Sequence, residues 1–200
     1  MTTVHLVVAS LHAVLGHAGA SLVYRARFGH SPLVVYRAGP SPHRTRSRIT
    51  GALALAWGLA FVLSIYAPAW TTSPIGRALL ALPPALPWAI AISGLALMLW
   101  SQVAMGPAFR IGQDDRERPV ALHRRGPHAR CRNPIYVGSW LALAGMTAWH
   151  PSLALIALCV AIGAAMHAIV LAEERFLRAQ FGAAFVAYCR TTPRYGARLR

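Results

Sequence analysis

Five long apolar runs, at residues 4–23, 49–69, 82–105, 135–149 and 152–172, constrain this chain more than any other feature. A helix needs about 20 apolar residues to cross the hydrocarbon core of a bilayer. The first, second, third and fifth runs meet that length. The fourth holds 15 residues, or about 22 Å of helix. Only the His150-Pro151-Ser152 turn, whose serine opens the fifth run, lies between the two, so they read as a tight helical hairpin. Pro83, Pro84 and Pro87 open the third run, where a missing backbone N–H costs least. The expected fold is an all-α integral membrane protein with about five transmembrane helices. The last two form the hairpin, and a cytoplasmic amphipathic C-terminal helix follows.

The connections carry a second signal. All 20 basic residues are arginine, against 5 acidic residues. Residues 24–48 hold six arginines, 71–81 hold one (Arg77), 106–134 hold seven, the hairpin turn none, and the tail after Ala172 six. Such alternation is what the positive-inside rule expects. It predicts an N-terminus outside and a C-terminus in the cytoplasm, which agrees with an odd number of spans. The arginines then face the cytoplasmic leaflet, where each contributes about 1 kcal/mol of attraction to anionic lipid. Anionic lipid, and not nucleic acid, is the expected macroscopic partner. Only 12% of residues are charged, against roughly 25% in a soluble domain. The chain reads as a single membrane domain over 1–200, with three N-terminal spans in 1–105. Residues 106–200 supply a polar loop, the hairpin and the C-terminal helix. Oligomeric state is not legible.

Several function classes find no support. Cys131, Cys159 and Cys189 have no CxxC or CxxH spacing, so neither a disulfide framework nor a zinc site is expected. His5, His12, His17 and His167 lie in the apolar runs without a carboxylate or third ligand beside them, and no metal site is expected. No basic leader precedes the first run, so a cleaved signal peptide is not expected. There is no GxGxxG, and no strand pattern to carry one.

The five carboxylates are the informative residues. Asp114, Asp115 and Glu117 lie in the loop after the third run, and Glu173 and Glu174 end the fifth. A carboxylate at the edge of hydrocarbon is costly without a partner; Arg132, Arg175 and Arg178 are candidate partners. Adjacent helical residues point about 100° apart, so one Glu can face a pocket and the other water. The stretch EERFLRAQFGAAFVAYCR, 173–190, has the spacing of a helix with one apolar face, and Gly182 can interrupt it. Asn133, before Pro134, suits a helix N-cap. Tyr136 and Trp140 share a helix face and suit the interfacial aromatic belt. His123 and His128 precede the fourth run. Because the start of the fourth run and the end of the fifth lie at one level, these groups can converge on one cytoplasm-facing pocket. Such a pocket can take a polar cofactor from the cytosol and an apolar substrate from the bilayer.

At these residues the chain resembles the isoprenylcysteine carboxyl methyltransferase family and its bacterial relatives, themselves similar to phospholipid methyltransferases. The matching stretches are GPHARCRNPIYVG, EERFLRAQFGAAFVAYCR and TTPRY, with family-like order and spacing over residues 113–195. The resemblance implies an integral protein of the bacterial inner membrane. It implies transfer of a methyl group from S-adenosylmethionine to a lipophilic acceptor, such as a prenylcysteine-like carboxylate or a lipid. It further implies cofactor contacts by Gln113, by Val120, Ala121, Leu122 and His123, by His128, by Asn133, Pro134 and Tyr136, and by Glu173. Counting back from Phe181-Gly182 puts Glu173, not Glu174, at the family's contacting position. Glu174 is then expected to point toward an arginine on the cytoplasmic surface. The catalytic residues are not implied.

Three departures stand out. Asn133 replaces the usual His, and His128 replaces the usual Tyr. Ile169 stands where prenylcysteine-type enzymes carry an Arg for the substrate carboxylate, which weakens that substrate more than it weakens methyl transfer. Two other readings share some of these features. Membrane sterol reductases, which use NADPH, often carry Arg-Asn-Pro-Asn-Tyr, and a non-catalytic membrane scaffold would need no cofactor at all.

Overall fold

The computed structural model describes residues 20–29, 42–66, 73–109 and 121–196. Among them there are helices and turns and no strand. In chain order the helices are α1 (Ala20–Phe28), α2 (Pro42–Tyr66), α3 (Pro74–Leu80), α4 (Ala85–Met105), α5 (Pro134–Trp149) and α6 (Leu153–Thr191). Short 3-10 turns follow α4 at Gly106–Ala108 and precede α5 at Gly126–Ala129.

Most boundaries follow from local chemistry. Pro84 is the N-cap of α4, and Pro134 opens α5, as expected of a residue without an N–H to satisfy. Ser152 starts α6 by accepting from the Leu155 N–H at 3.2 Å, so the turn between α5 and α6 is as short as the sequence suggests. Three features differ from expectation. The link after the second run contains a helix, α3, capped by the Ser73 hydroxyl on Gly76 N–H at 3.0 Å. Helix α2 begins at Pro42, within the arginine-rich connection. Helix α6 runs unbroken past the apolar stretch to Gly182, whose φ of +48° and ψ of −122° mark a kink, and resumes to Thr191.

Among the described residues, three helices are long and apolar enough to cross a membrane: Thr45–Ser64, Ala85–Ala108 and Leu153–Thr191. The expected first span, with His5, His12 and His17, lies almost wholly outside the described residues. Helix α5, at 16 residues, is about 24 Å long. Large apolar side chains face outward along these helices, among them Leu55, Leu59, Ile92, Val103, Leu153 and Val160. An exterior of this kind suits hydrocarbon, not water.

Helices α4 and α5 meet backbone to backbone. A Cβ on Gly138 would lie 2.6 Å from the Gly94 carbonyl oxygen, and one on Gly145 would lie 2.5 Å from Ala91 N. Small residues permit this approach, the usual route to helix association where lipid removes the hydrophobic drive between helices. Trp57 and Phe61 of α2 then pack on Ala91, Leu143, Met146, Leu155, Cys159 and Ile162. The Trp57 indole N–H donates to the Thr147 hydroxyl at 3.0 Å, which satisfies two polar groups inside that core. The α5–α6 pair is keyed by Trp140. Its indole N–H donates to the Cys159 carbonyl at 3.2 Å, over Gly163, where a Cβ would come within 2.5 Å of the indole nitrogen. Trp140 is thus a helix-packing residue as well as a half-exposed aromatic.

A candidate active site at the start of α5

The chain before α5 is fixed in three steps. Gly126 adopts φ +58° with its Cα against Ala104 of α4, where a Cβ would lie 3.0 Å from the Ala104 methyl. Pro127 and His128 are buried in the 3-10 turn that follows. The Tyr188 hydroxyl of α6 donates to the His128 carbonyl, and the Arg124 guanidinium covers the Tyr188 ring at 5.6 Å while donating to the Ala184 carbonyl at 2.9 Å. The part of α6 beyond the kink therefore holds the loop in place.

After Thr191 the chain folds back along residues 131–133. The Arg132 N–H donates to the Pro193 carbonyl at 2.9 Å. Glu174 lies at the centre of this return. Arg132 grips it with Nε at 3.0 Å and an Nη at 3.2 Å, Arg194 with Nε at 3.0 Å, and Asn133 with Nδ2 at 3.0 Å. Arg132 also donates to the Thr192 carbonyl at 2.5 Å. These contacts correct two expectations. Glu174 does not meet an arginine on an open surface, because it is only 8% exposed. Asn133 occupies the N-cap position but makes no side-chain cap; its amide is turned to Glu174 and to the Arg194 carbonyl, 3.3 Å away.

Glu173, one residue earlier, has a separate partner. The Tyr136 hydroxyl donates to its Oε1 at 2.6 Å, toward the short end of the range for O–H···O hydrogen bonds. Both side chains are half-buried. The Glu pair therefore splits: Glu174 ties the C-terminal return to the loop, and Glu173 stands on the first turn of α5 with one oxygen engaged by Tyr136.

His123 and His128 form a second polar cluster, edge to face with ring centroids 5.0 Å apart. His123 Nε2 and His128 Nδ1 are buried without a hydrogen-bond partner. Burial, and then the neighbouring His123, push the His128 pKa down to about 4; burial, and then Arg125, lower that of His123. Both rings are therefore neutral near pH 7. A buried polar atom without a partner costs about 1–3 kcal/mol, so two in one place mark a site where a ligand's polar edge would be welcome.

Of the residues expected at the site, Asn133, Pro134 and Tyr136 lie at the start of α5 against the Glu pair of α6, with Asn133 on Glu174 and Tyr136 on Glu173, and His123 and His128 pair in the preceding loop. Ala121 and Leu122 precede them, exposed and half-buried respectively. Gln113 and Val120, like Asp114, Asp115 and Glu117, lie outside the described residues. Arg194 and Tyr195 were missed by sequence reasoning. The signal for Arg194 was the family-like TTPRY ending, whose arginine lies 20 residues from the carboxylate that it pairs with.

The fold and site define an all-helical integral membrane protein with a buried polar cluster at one end of its bundle. The phospholipid methyltransferase family profile matches residues 84–184, half of the chain. The chain belongs to that family of membrane methyltransferases. It is also 39% identical over 75 residues to the cobalt-zinc-cadmium resistance protein CzcN of Cupriavidus metallidurans. That match covers 37% of this chain and 34% of CzcN, so the chain spans about a third of the relative's length. No solved structure matches the chain significantly.

Proposed function

We propose that the protein transfers a methyl group from S-adenosylmethionine to a lipophilic acceptor that enters from the bilayer. The observation that carries this reading is the Glu173–Tyr136 pair at 2.6 Å; two buried histidine nitrogens without partners lie in the loop that leads to α5. The donor set fits the cofactor. Glu173 can accept from a ribose hydroxyl or an ammonium group, Asn133 and the neutral His123 and His128 can meet polar edges, and Tyr136 offers an aromatic face. Gln113, Val120, Ala121, Leu122 and Pro134 complete the proposed contact set. The cofactor supplies an electrophilic methyl group on a sulfonium. The chain's part is to hold that group in line with the acceptor and to keep water out. The membership of the family, the apolar exterior and the arginine placement support an inner-membrane location, five spans, a cytoplasmic C-terminus and contact with anionic lipid.

The test is a titration of S-adenosylmethionine against detergent-solubilised wild type, Glu173→Gln and Glu174→Gln, each below its melting temperature. A charge-assisted hydrogen bond contributes about 1.5–3 kcal/mol. Glu173→Gln should therefore weaken binding by roughly 10- to 150-fold, and Glu174→Gln far less. Equal losses in folded protein, or full affinity in Glu173→Gln, would sink the assignment. Binding of NADPH in place of S-adenosylmethionine, or of neither, would sink the function.

A further inference from the structure

The apolar half of α6 carries one feature that the cofactor reading leaves unused. Between residues 153 and 172, His167 is the only residue whose side chain bears a nitrogen or oxygen. It is exposed on a surface otherwise covered by groups such as Leu153 and Val160. Its Nδ1 lies 2.8 Å from the Tyr195 hydroxyl, with the rings 5.8 Å apart. Tyr195 is 42% exposed, and it is delivered there by the C-terminal return, since the preceding residue, Arg194, is anchored on Glu174. His167 and Glu174 are seven residues apart. They share one face of α6, about 10 Å apart along its axis, with His167 deeper in the bilayer. A polar side chain at that depth is costly and by default marks function.

We infer that His167, oriented by Tyr195, is the proton acceptor for the methyl acceptor. The acceptor is then a lipophilic molecule whose nucleophilic atom carries a proton: a thiol, a hydroxyl or an amine, not a carboxylate. This rests on the methyl-transfer reading above. When the Tyr195 oxygen accepts from Nδ1–H, Nε2 holds a lone pair and can act as a base. For a thiol, the S–H bond breaks and its proton goes to Nε2. The sulfur pair forms the new S–CH3 bond, and the sulfonium C–S bond breaks with its pair left on the departing thioether. A carboxylate has no proton to lose and would need a permanent cation. Helices α4 and α5 and residues 153–172 contain no Arg or Lys, position 169 is Ile, and the guanidinium of Arg194, next to Tyr195, is already paired with Glu174. His167 would touch the acceptor and is the catalytic residue; Tyr195 is a positioning residue.

The experiment uses the full chain in lipid nanodiscs with methyl-labelled S-adenosylmethionine. The acceptor probes are dodecanethiol, dodecylamine and dodecanoic acid. The expected products are the methyl thioether or the N-methyl amine, with little methyl ester. His167→Asn should lower kcat about 100-fold, the usual scale for losing a general base, with cofactor affinity and melting temperature unchanged. Tyr195→Phe should lower kcat about tenfold and leave KM unchanged, a split that a merely structural loss would not give. A diazirine-bearing dodecylamine should label residues 153–172 or 193–196 in the wild type, a readout independent of turnover. Wild-type kcat in His167→Asn, a dominant methyl ester, or labelling confined to other helices would overturn the inference. If none of the three probes is methylated, the photolabel alone decides. Absence of cofactor binding by the wild type would instead remove the methyl-transfer reading on which all of this rests.

Discussion

Glu173 and Glu174 show how adjacent identical residues acquire different duties. Helical geometry turns them about 100° apart, and what each then meets decides the rest. Glu174 meets two guanidinium groups and an amide in a place that is only 8% exposed. Leaving a buried charge unpaired costs about 3–5 kcal/mol. Glu174→Ala strands Arg132 and partly strands Arg194, so it should lower the melting temperature well beyond Glu173→Gln in the same detergent. Equal melting temperatures would mean that water replaces the carboxylate at little cost. His128 makes a different prediction. Its folded pKa is about 4, against about 6.5 for an unperturbed imidazole. Between those values the unfolded chain binds the extra proton and the folded one does not. The stability contributed by the neutral ring is complete above pH 6.5 and is lost as the pH falls toward 4. Thermal melting should therefore show an acid-side decline that His128→Asn flattens; an unchanged slope in the variant would assign the decline to other groups.

Among the elements, the α4–α5 contact is the least tolerant of change. Gly138 sits 2.6 Å, by its absent Cβ, from both the Gly94 carbonyl and Met98 N. Backbone cannot step aside as a side-chain end can, so Gly138→Val must part the helices, at a cost of about 1–3 kcal/mol or more. Gly51 of α2 meets nothing within 4 Å, so Gly51→Ala should be neutral or stabilising by up to about 1 kcal/mol. Comparing the two melting temperatures separates close packing from a general intolerance of glycine replacement. Helix existence was legible in the sequence because apolar length and proline placement are local properties. The hairpin was legible too, from Pro151, which cannot continue a helix, and the capping residue Ser152 after it. Much of the site was not, because its partners are far apart in the chain. Asn133 looks like a cap by its position, and only the return of Arg194 turns its amide elsewhere. Trp140 looks like an interfacial ring until Gly163 opens a place for it. The continuation of α6 beyond Glu174 replaced an expected separate helix because nothing before Gly182 breaks the backbone ladder.

At the scale of the molecule, one end of the bundle carries both the site and the arginines. Phe61 of α2 packs on His150 at the hairpin turn, with ring centroids 5.8 Å apart, so the start of α2, with Arg46 and Arg48, lies at the opposite end. Helix α4 runs antiparallel to α5: Ala91 faces Gly145, and Met98 faces Gly138. Its last turn and Phe109 therefore reach the level of Ile135 and Tyr24, which pack together. Arg124, Arg132 and Arg194 cluster there as well. Arg77, in α3, belongs to the end with the hairpin turn. If the arginine-rich end is cytoplasmic, the cofactor site opens toward the cytosolic pool of cofactor, and His167 faces the adjoining leaflet. The expected outcome is that reporter fusions after Thr72 and after Arg200 lie on opposite sides of the membrane, with the Arg200 fusion cytoplasmic. Fusions on the same side would remove the orientation, because α4, α5 and α6 would then cross an even number of times between them.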